Sequence, residues 1–280
     1  MKFFFKRLLV YFNFSVKKKI NNNYFKVPIL SGLGVSNLFL QELWMIELLG
    51  RIVNIGVVKF VDIGANIGQT LLKVKSVDRE IEYIGFEPNQ NCIYYLRKLI
   101  NKNLFKNVIL IPVGISTETT LEELNFYSVS DTDPSASIIK DFRKTSVVKK
   151  EYISLFNVID LKTIINFNET SIIKIDVEGS ELEVLESFFE IIKKNNPLIL
   201  IEILPIYSEK QNPNRLKRQN KIEEILKDLK YSIFRINKSK NKLLGITQVD
   251  DIGIHSNLNH CDYIFVPSTK RSKFSGCFKS

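Results

Sequence analysis

The segment VDIGANIGQT, residues 61–70, decides how this chain folds. An apolar strand runs into Asp62, and Gly64 and Gly68 then bracket a tight turn that leads into a helix. Gly64 permits backbone angles and a close approach of a ligand that a Cβ atom would block. The helix that Gly68 opens presents a partial positive pole, which suits a carboxylate. Because Asn66 stands where the pyrophosphate-binding pattern G-x-G-x-x-G needs its second glycine, the loop favours an amino-acid nucleoside over a dinucleotide.

On both sides of this segment, short apolar runs alternate with longer amphipathic runs, as in strand–helix units around a parallel sheet. The short runs are rich in β-branched residues and nearly continuous in hydrophobicity, as expected of strands that are covered on both faces. We predict strands over residues 57–64, 81–88, 108–114, 171–177 and 197–203. We predict helices over residues 38–51, 69–75, 89–103, 161–167, 180–195 and 220–229.

The C-terminal third departs from this alternation. Residues 231–237 and 261–267 are predicted strands, and their connection is too short for a crossover with a long helix, so we expect an antiparallel pair at the sheet edge. The chain is therefore expected to form an α/β, Rossmann-like, doubly wound sheet, mostly parallel with an antiparallel C-terminal hairpin. One domain over residues 38–267 would lie between a basic, partly amphipathic extension, 1–37, and a basic tail, 268–280.

Acidic side chains follow three of the predicted strands. Glu87, in GFEPN, lies 23 residues beyond Gly64, a spacing at which an acid accepts hydrogen bonds from both ribose hydroxyls. Asp176 and Glu178, in KIDVEGSE, end the fourth strand beside the point where doubly wound sheets bind ligands. Glu202 has the equivalent place on the fifth strand, where it either supports the site or pairs with a lysine.

The turn after the fourth strand also has a purely structural interpretation. Ser180 and Glu183 match the S-x-x-E capping box, which would start the next helix. In that interpretation Glu178 and Glu181 are acids favoured by the positive end of the helix. For Asp176 we favour a functional role, because a carboxylate ends an apolar strand at the ligand crevice.

Positive charge is concentrated at the two ends of the chain. The net charge is +10, with seven cations and no acid in residues 1–41 and four cations and no acid in residues 268–280, so the body between them is close to neutral. A duplex-binding domain would carry a basic stripe on its folded body as well. We therefore expect no specific nucleic-acid partner.

The N-terminal stretch MKFFFKRLLVYFNFSVKKKI is both basic and apolar. It would either lie on an anionic membrane surface or form a helix that packs on the domain with its lysines in water. Lys6 and Arg7 interrupt its apolar part, which argues against a secretory signal. Three widely separated cysteines suit a reducing compartment, so a cytoplasmic protein is expected, with peripheral contact to the inner face of the membrane as a further option.

Several motifs, in this order, resemble the FkbM family of S-adenosylmethionine-dependent methyltransferases: DIGANIGQT, GFEPN, IPVGIS, IDL (159–161), SIIKIDVEGSELEVLESF and PLILIEI. The similarity covers roughly residues 57–205. It implies the class I methyltransferase sheet with a reversed final hairpin, and O-methylation, often of a sugar or a natural product. Family members often carry a histidine after the acid of the fifth strand. Here Leu204 follows Ile203, so the role of that histidine is absent or filled elsewhere.

The resemblance implies S-adenosylmethionine as the cofactor, held by Asp62, Gly64, Ala65, Asn66, Gly68 and Glu87, with Gly114 beside the adenine. Asp176 or Glu178 would act as general base on the acceptor, a hydroxyl of a sugar, glycan or glycolipid precursor. Asp176 with Glu202 would alternatively offer Mg²⁺ the oxygen ligands that it prefers, although no histidine in the sequence lies near them to support a metal.

Two other classes of protein remain as alternatives. A redox enzyme with a nucleotide cofactor is disfavoured by Asn66. A non-catalytic binding protein on a methyltransferase fold, with basic termini that contact RNA or an anionic membrane, is disfavoured by the intact Gly64, Gly68 and Glu87. Residues 127–150 form a long polar insertion, which is either a substrate-facing loop or lid, or a solvated connection.

Overall fold

The structure is a computed structural model that describes residues 13–139, 145–210 and 212–278. The strands are β1 (Asn13–Ile20), β2 (Asn23–Leu30), β3 (Lys59–Ile63), β4 (Glu82–Phe86), β5 (Val108–Ile111), β6 (Gly114–Ile115), β7 (Thr120–Phe126), β8 (Lys149–Phe156), β9 (Thr170–Ile175), β10 (Leu198–Glu202), β11 (Tyr231–Ser239), β12 (Lys242–Val249) and β13 (Asp262–Pro267). The helices are α1 (Trp44–Ile52), α2 (Gln69–Val77), α3 (Gln90–Asn103), α4 (Val158–Leu161), α5 (Glu181–Asn195), α6 (Pro213–Asp228) and α7 (Arg271–Gly276).

The centre of the molecule is an eight-stranded sheet in the order β12-β11-β13-β10-β9-β3-β4-β5. Strands β10, β9, β3, β4 and β5 run parallel to one another. Strand β13 is antiparallel to both β10 and β11, between which it lies. The predicted α/β architecture, mostly parallel with reversed C-terminal strands, is confirmed.

The order of the strands places the ligand crevice. The chain moves from β3 through β4 to β5 on one side, whereas β9 and β10 follow on the other side of β3. The carboxyl ends of β3 and β9 therefore form the topological switch point, where open α/β sheets bind ligands.

Both faces of the sheet are covered. On one face the core includes Trp44 and Leu48 of α1, Leu71 of α2 and Leu96 of α3. On the other face it includes Leu185 of α5 and side chains of α4 and α6. Every residue of β3 and of β9 is buried, so both faces of these strands carry apolar side chains, and their polar side chains, among them Asp62 and Lys174, are buried as well.

Four predicted elements differ from the structure. The helix predicted over 38–51 begins only at Trp44, after a separate short 3-10 helix, Val35–Phe39. Residues 13–20 form a strand of a hairpin with β2, so the helix, one of the two alternatives for the N-terminal stretch, is wrong there, and residues 1–12 lie outside the described part. The helix predicted over 161–167 is instead the single turn α4, which is capped by Asn157. Helix α6 begins at Pro213 and not at the predicted residue 220, and a proline suits the first helical position because its missing N–H would have no partner there.

Two features were not expected from the sequence. Strand β12 pairs with the outer side of β11, so the sheet ends at β12 and not at the predicted pair of β11 and β13. A small sheet in the order β6-β8-β7 follows β5 in the sequence and precedes β9. Within the described residues, no helix is long and apolar enough to cross a membrane.

Candidate functional site

The glycine-rich turn after β3 is shaped by the neighbouring strands. Gly64 has a φ of +91°, and a Cβ atom there would lie 2.0 Å from the carbonyl oxygen of Asp176. The amides of Gly64 and Ala65 both donate to the carbonyl oxygen of Phe86, at 3.0 Å each, which fastens the turn to β4. Asn66 follows with a φ of +44°. A glycine is thus required at position 64 by both backbone angle and contact with the end of β9.

Glu87, just beyond β4, is tied to that turn. Its carboxylate accepts hydrogen bonds from the amide of Asn66 at 2.7 Å and from the amide of Asn89 at 2.8 Å. Burial raises the pKa of Glu87 to about 7, although the two amide hydrogen bonds act in the opposite direction. Each carboxylate oxygen keeps a further lone pair, so the group is able to accept hydrogen bonds from two ligand hydroxyls.

A cavity lies over the carboxyl ends of β3, β4 and β9. Six of the residues predicted from the sequence line it: Gly64, Asn66, Glu87, Gly114, Asp176 and Glu178. The remaining wall is mainly apolar and includes Phe86 and Leu155. Four other predicted residues are not part of this wall: Asp62, Ala65, Gly68 and Glu202.

Asp62 is buried within the face of the sheet that α1 and α2 cover. Its carboxylate accepts a hydrogen bond from the Tyr83 hydroxyl and lies 3.7 Å from the Lys174 ammonium. Burial raises the pKa of Asp62, and Lys174 and Tyr83 act against that effect. Asp62 contacts Tyr83 and Lys174 and does not line the cavity. Its predicted contact with the cofactor stays a prediction.

Asp176 contributes a charged group to the cavity wall. Its Oδ2 atom lies 2.8 Å from Nζ of Lys174, whose side chain is 7% exposed, whereas the side chain of Asp176 is 33% exposed. Burial acts to raise the pKa of Asp176, but Lys174, together with Lys73 and Glu202, outweighs burial and holds the pKa below its ordinary value. The cavity therefore contains a carboxylate that is ionised at neutral pH.

Glu202 stands behind Asp176, at the end of β10. Burial, together with the negative charge of Asp176, raises the pKa of Glu202 to about 9. A hydrogen bond from Glu202 contributes to the low pKa of Asp176, so the two carboxyl groups share one proton at neutral pH. The Lys174 ammonium already compensates the charge of Asp176, at 2.8 Å from Oδ2. Within the described residues, no group of three or more His, Cys, Asp and Glu side chains is arranged to hold a metal.

Glu178 also borders the cavity, in an uncommon backbone conformation. Its φ is +53°, and Gly179 follows with a φ of +111°. Its carbonyl oxygen accepts a hydrogen bond of 2.6 Å from the hydroxyl of Ser137, a residue of the long insertion. A non-glycine residue in the left-handed region raises the free energy of the folded state by about 1–3 kcal/mol, and it is found where the surrounding structure fixes that conformation.

The insertion after β7 closes over the cavity. Asp133, Pro134, Ala136 and Ile138 line it, although none of them was singled out as a site residue from the sequence. The carboxylate of Asp133 accepts hydrogen bonds from two backbone amides of the insertion and from Ser135, which fixes this part of the loop. Residues 127–139 are therefore a folded wall of the site, whereas residues 140–144 of the predicted lid lie outside the described part.

Ser180 supplies a polar group without a protein partner. It is 3% exposed and lines the cavity, and its hydroxyl has no hydrogen-bond partner among the described residues. The predicted capping box is therefore wrong: the Ser180 side chain does not cap α5, and the Glu183 carboxylate binds Arg218. A buried, unsatisfied hydroxyl at the cavity fits a ligand that brings its own polar groups.

These features define a Rossmann-like fold with a cavity at the switch point, bordered by a glycine turn, a buried acid and an ionised carboxylate. The sequence model of the methyltransferase FkbM domain matches residues 62–233, more than half of the chain. The chain belongs to the FkbM methyltransferase family, as the resemblance of its motifs predicted.

Solved structures of methyltransferases resemble the chain at low identity. Methyltransferase FkbM from Methylobacillus flagellatus is 20% identical over 74% of this chain, with a TM-score of 0.44, and the match spans 43% of that protein. A putative caffeoyl-CoA O-methyltransferase from Staphylococcus aureus is 14% identical over 80% of this chain and 83% of its own, with a TM-score of 0.45. An SAH-bound methyltransferase from Podospora anserina is 11% identical over 80% and 76%, with a TM-score of 0.42. No curated protein sequence matches the chain significantly.

Proposed function

We propose that this chain is an S-adenosylmethionine-dependent O-methyltransferase that acts on a hydroxyl of a sugar, glycan or glycolipid precursor. The observation that carries the proposal is the ionised carboxylate of Asp176 on the wall of the cavity that the glycine turn and Glu87 form. Membership of the FkbM methyltransferase family supports methyl transfer. The carboxylate favours oxygen as the acceptor atom, because a hydroxyl must lose its proton when it is methylated.

The residues around the cavity suit S-adenosylmethionine. Glu87 would accept hydrogen bonds from the ribose hydroxyls, and the turn at Gly64 and Asn66 would hold the amino-acid end. Gly114 would border the adenine, where a Cβ atom would lie 2.5 Å from Leu155. The unsatisfied hydroxyl of Ser180 adds a hydrogen-bonding group of the kind that such a polar ligand requires.

When bound, S-adenosylmethionine supplies an electrophilic methyl group on a positively charged sulfur. Asp176 would accept a hydrogen bond from the acceptor hydroxyl and so direct an oxygen lone pair towards the cavity. Methylation would leave the acceptor oxygen positively charged and its proton strongly acidic. A carboxylate of low pKa is then sufficient to take the proton, which it later releases to water.

Lys174 and Glu202 would act on the reaction through Asp176. The Lys174 ammonium at 2.8 Å keeps Asp176 ionised and fixes one of its oxygens. Glu202, which holds its proton up to a pH of about 9, donates to the same carboxylate. Both are positioning residues, because neither lines the cavity.

Transfer of a labelled methyl group to a panel of sugar nucleotides and glycolipid precursors tests the proposal. We expect label in an ether of one acceptor with the wild-type protein. Asp176→Asn should lower the turnover by about 10²–10⁴-fold, the range for loss of a general base, and leave cofactor affinity within about threefold. Unchanged turnover in Asp176→Asn, or label on nitrogen or sulfur of the acceptor, would refute the assignment.

A further inference from the structure

The outer face of the N-terminal hairpin is basic. Strands β1 and β2 pair so that Lys17 lies opposite Lys26, and Lys19 lies opposite Tyr24. All four side chains are exposed, and the Lys17 ammonium lies 4.6 Å from the centre of the Tyr24 ring. Like charges directly opposite one another destabilise a strand pair, so the Lys17–Lys26 pair is a cost that an anion on this face would remove.

Helix α3 presents a second set of cations. Arg97, Lys98 and Lys102 are exposed, and they lie with the exposed Tyr94 at the spacing of one helix face. Lys106, just after the helix, is exposed as well. The opposite face of α3 is buried in the core of the domain.

The two sets border one another on the surface. The amide of Lys26 donates to the side chain of Asn103, the last residue of α3, at 2.7 Å, and the same side chain donates back to the Lys26 carbonyl at 2.8 Å. Beneath this link, the rings of Phe25 and Phe105 pack with centroids 5.7 Å apart. We call the combined surface the basic face; its cations are Lys17, Lys19, Lys26, Arg97, Lys98, Lys102 and Lys106.

The elements that carry the basic face contain cations without acids. Neither residues 13–26 nor residues 89–107 contain an aspartate or a glutamate. Among the described residues, no ion pair involves any cation of this face. Exposed lysines elsewhere do pair with acids: Lys149 with Asp131, Lys150 with Glu123, and Lys221 of α6 with Glu186.

Apolar side chains project beside these cations. Tyr24 and Tyr94 are 58% and 52% exposed, and Leu104 is 82% exposed. Leu104 has a φ of +52° at the end of α3, a position where glycine or asparagine is the usual residue. Leucine at this position therefore contributes no stability to the fold through burial, and its backbone conformation is unfavourable.

We propose that the basic face docks on an anionic membrane surface. Cations interleaved with tyrosine and leucine match the headgroup region, where phosphates meet the ends of the acyl chains. The residues before β1 continue this composition, since residues 1–12 contain eight aromatic or aliphatic side chains after Met1, three cations and no acid. A nucleic acid would use the charges, but its phosphate backbone would offer nothing to Leu104.

Sedimentation of the full chain with vesicles tests this proposal. We expect binding to vesicles that contain phosphatidylglycerol, loss of binding at about 0.5 M salt, and little binding to pure phosphatidylcholine. The variant Lys17→Gln/Lys26→Gln/Lys98→Gln/Lys102→Gln should bind at least about tenfold more weakly. A control of equal net charge, Lys162→Gln/Lys193→Gln/Lys240→Gln/Lys242→Gln, removes four exposed lysines elsewhere and should change binding less than about twofold.

A second variant separates a membrane from a polyanion. Tyr24→Asn/Leu104→Asn keeps every charge and suits the backbone at residue 104, and it should weaken vesicle binding about threefold or more without loss of folding. Binding of polyuridylic acid in place of vesicles, or equal vesicle binding by the four-lysine variant and its control, would overturn the proposal. Methyl transfer to a soluble acceptor should be the same in both four-lysine variants, so failure of the docking proposal does not touch the proposed function.

Discussion

At the scale of single residues, Gly64 gives a sharp test of why the turn has its sequence. Gly64→Ala would place a Cβ atom 2.0 Å from a backbone oxygen in a conformation with φ of +91°. We expect the free energy of unfolding to fall by about 2–4 kcal/mol, measured by urea denaturation. Gly50→Ala is the control: Gly50 lies in α1 with no atom within 4 Å of its Cβ position, so the variant should gain up to about 1 kcal/mol. Equal effects of the two substitutions would contradict the account.

The sequence predicts some of these residues better than others. Glu87 and Asp176 could be found because an acid directly after an apolar strand has a defined place in a parallel sheet. Ser137 and Ser180 could not, because their importance comes from contacts across the fold that no local pattern records. Lys174 had a signal that was not used: a lysine at a buried position of β9 requires a buried partner of opposite charge.

At the scale of elements, the insertion after β7 is joined to the loop that carries Glu178 by the Ser137 hydroxyl. Ser137→Ala removes that hydrogen bond, worth about 1 kcal/mol, and should release the turn at Glu178. We expect turnover to fall about threefold to tenfold, while affinity for S-adenosylhomocysteine stays within about twofold. Steady-state kinetics and calorimetry measure the two effects.

The control for this prediction is Ser130→Ala, an exposed serine of the same insertion. It should leave turnover unchanged. If both serine variants behave as the wild type does, the insertion has no influence on the reaction, and its position over the cavity is structural alone.

The elements that were predicted correctly are those whose stability follows from burial on both faces. Strands β3, β4, β9 and β10 carry apolar residues on both faces, and this pattern is visible in the sequence. Strand β1 has three consecutive lysines, so nothing local marks it as a strand, and its pairing with β2 provides the stability. Its identification required knowledge of the tertiary structure.

At the scale of the whole molecule, several buried carboxyl groups determine how stability depends on pH. Burial raises the pKa of Glu87 and of Glu181 to about 7, of Glu202 to about 9 and of Asp262 to about 6. Between the ordinary pKa of such a group and its raised value, the folded state binds more protons than the unfolded state. The free energy of unfolding must therefore fall as pH rises through this interval.

We expect the free energy of unfolding to decrease between pH of about 5 and 8, by about 1.4 kcal/mol for each pH unit over which one such group is protonated in the folded state only, measured by urea denaturation at several pH values. Burial lowers the pKa of His255, which contributes a smaller change of opposite sign. Glu181→Gln should flatten the curve between pH of about 5 and 7, because it removes one of the raised carboxyl groups. Stability that increases over the same range would show that these groups are ionised in the folded protein.

The account of the whole protein depends on the ligand of the cavity, and titration calorimetry with S-adenosylhomocysteine measures it most directly. We predict one site per chain. The affinity should be at least about thirtyfold weaker in Glu87→Ala, because hydrogen bonds to the ribose are lost. It should be unchanged in the control Glu80→Ala, since Glu80 is an exposed acid before β4. Absence of heat with the wild-type protein, or equal affinities in the two glutamate variants, would contradict the assignment of this cavity to the methyl donor.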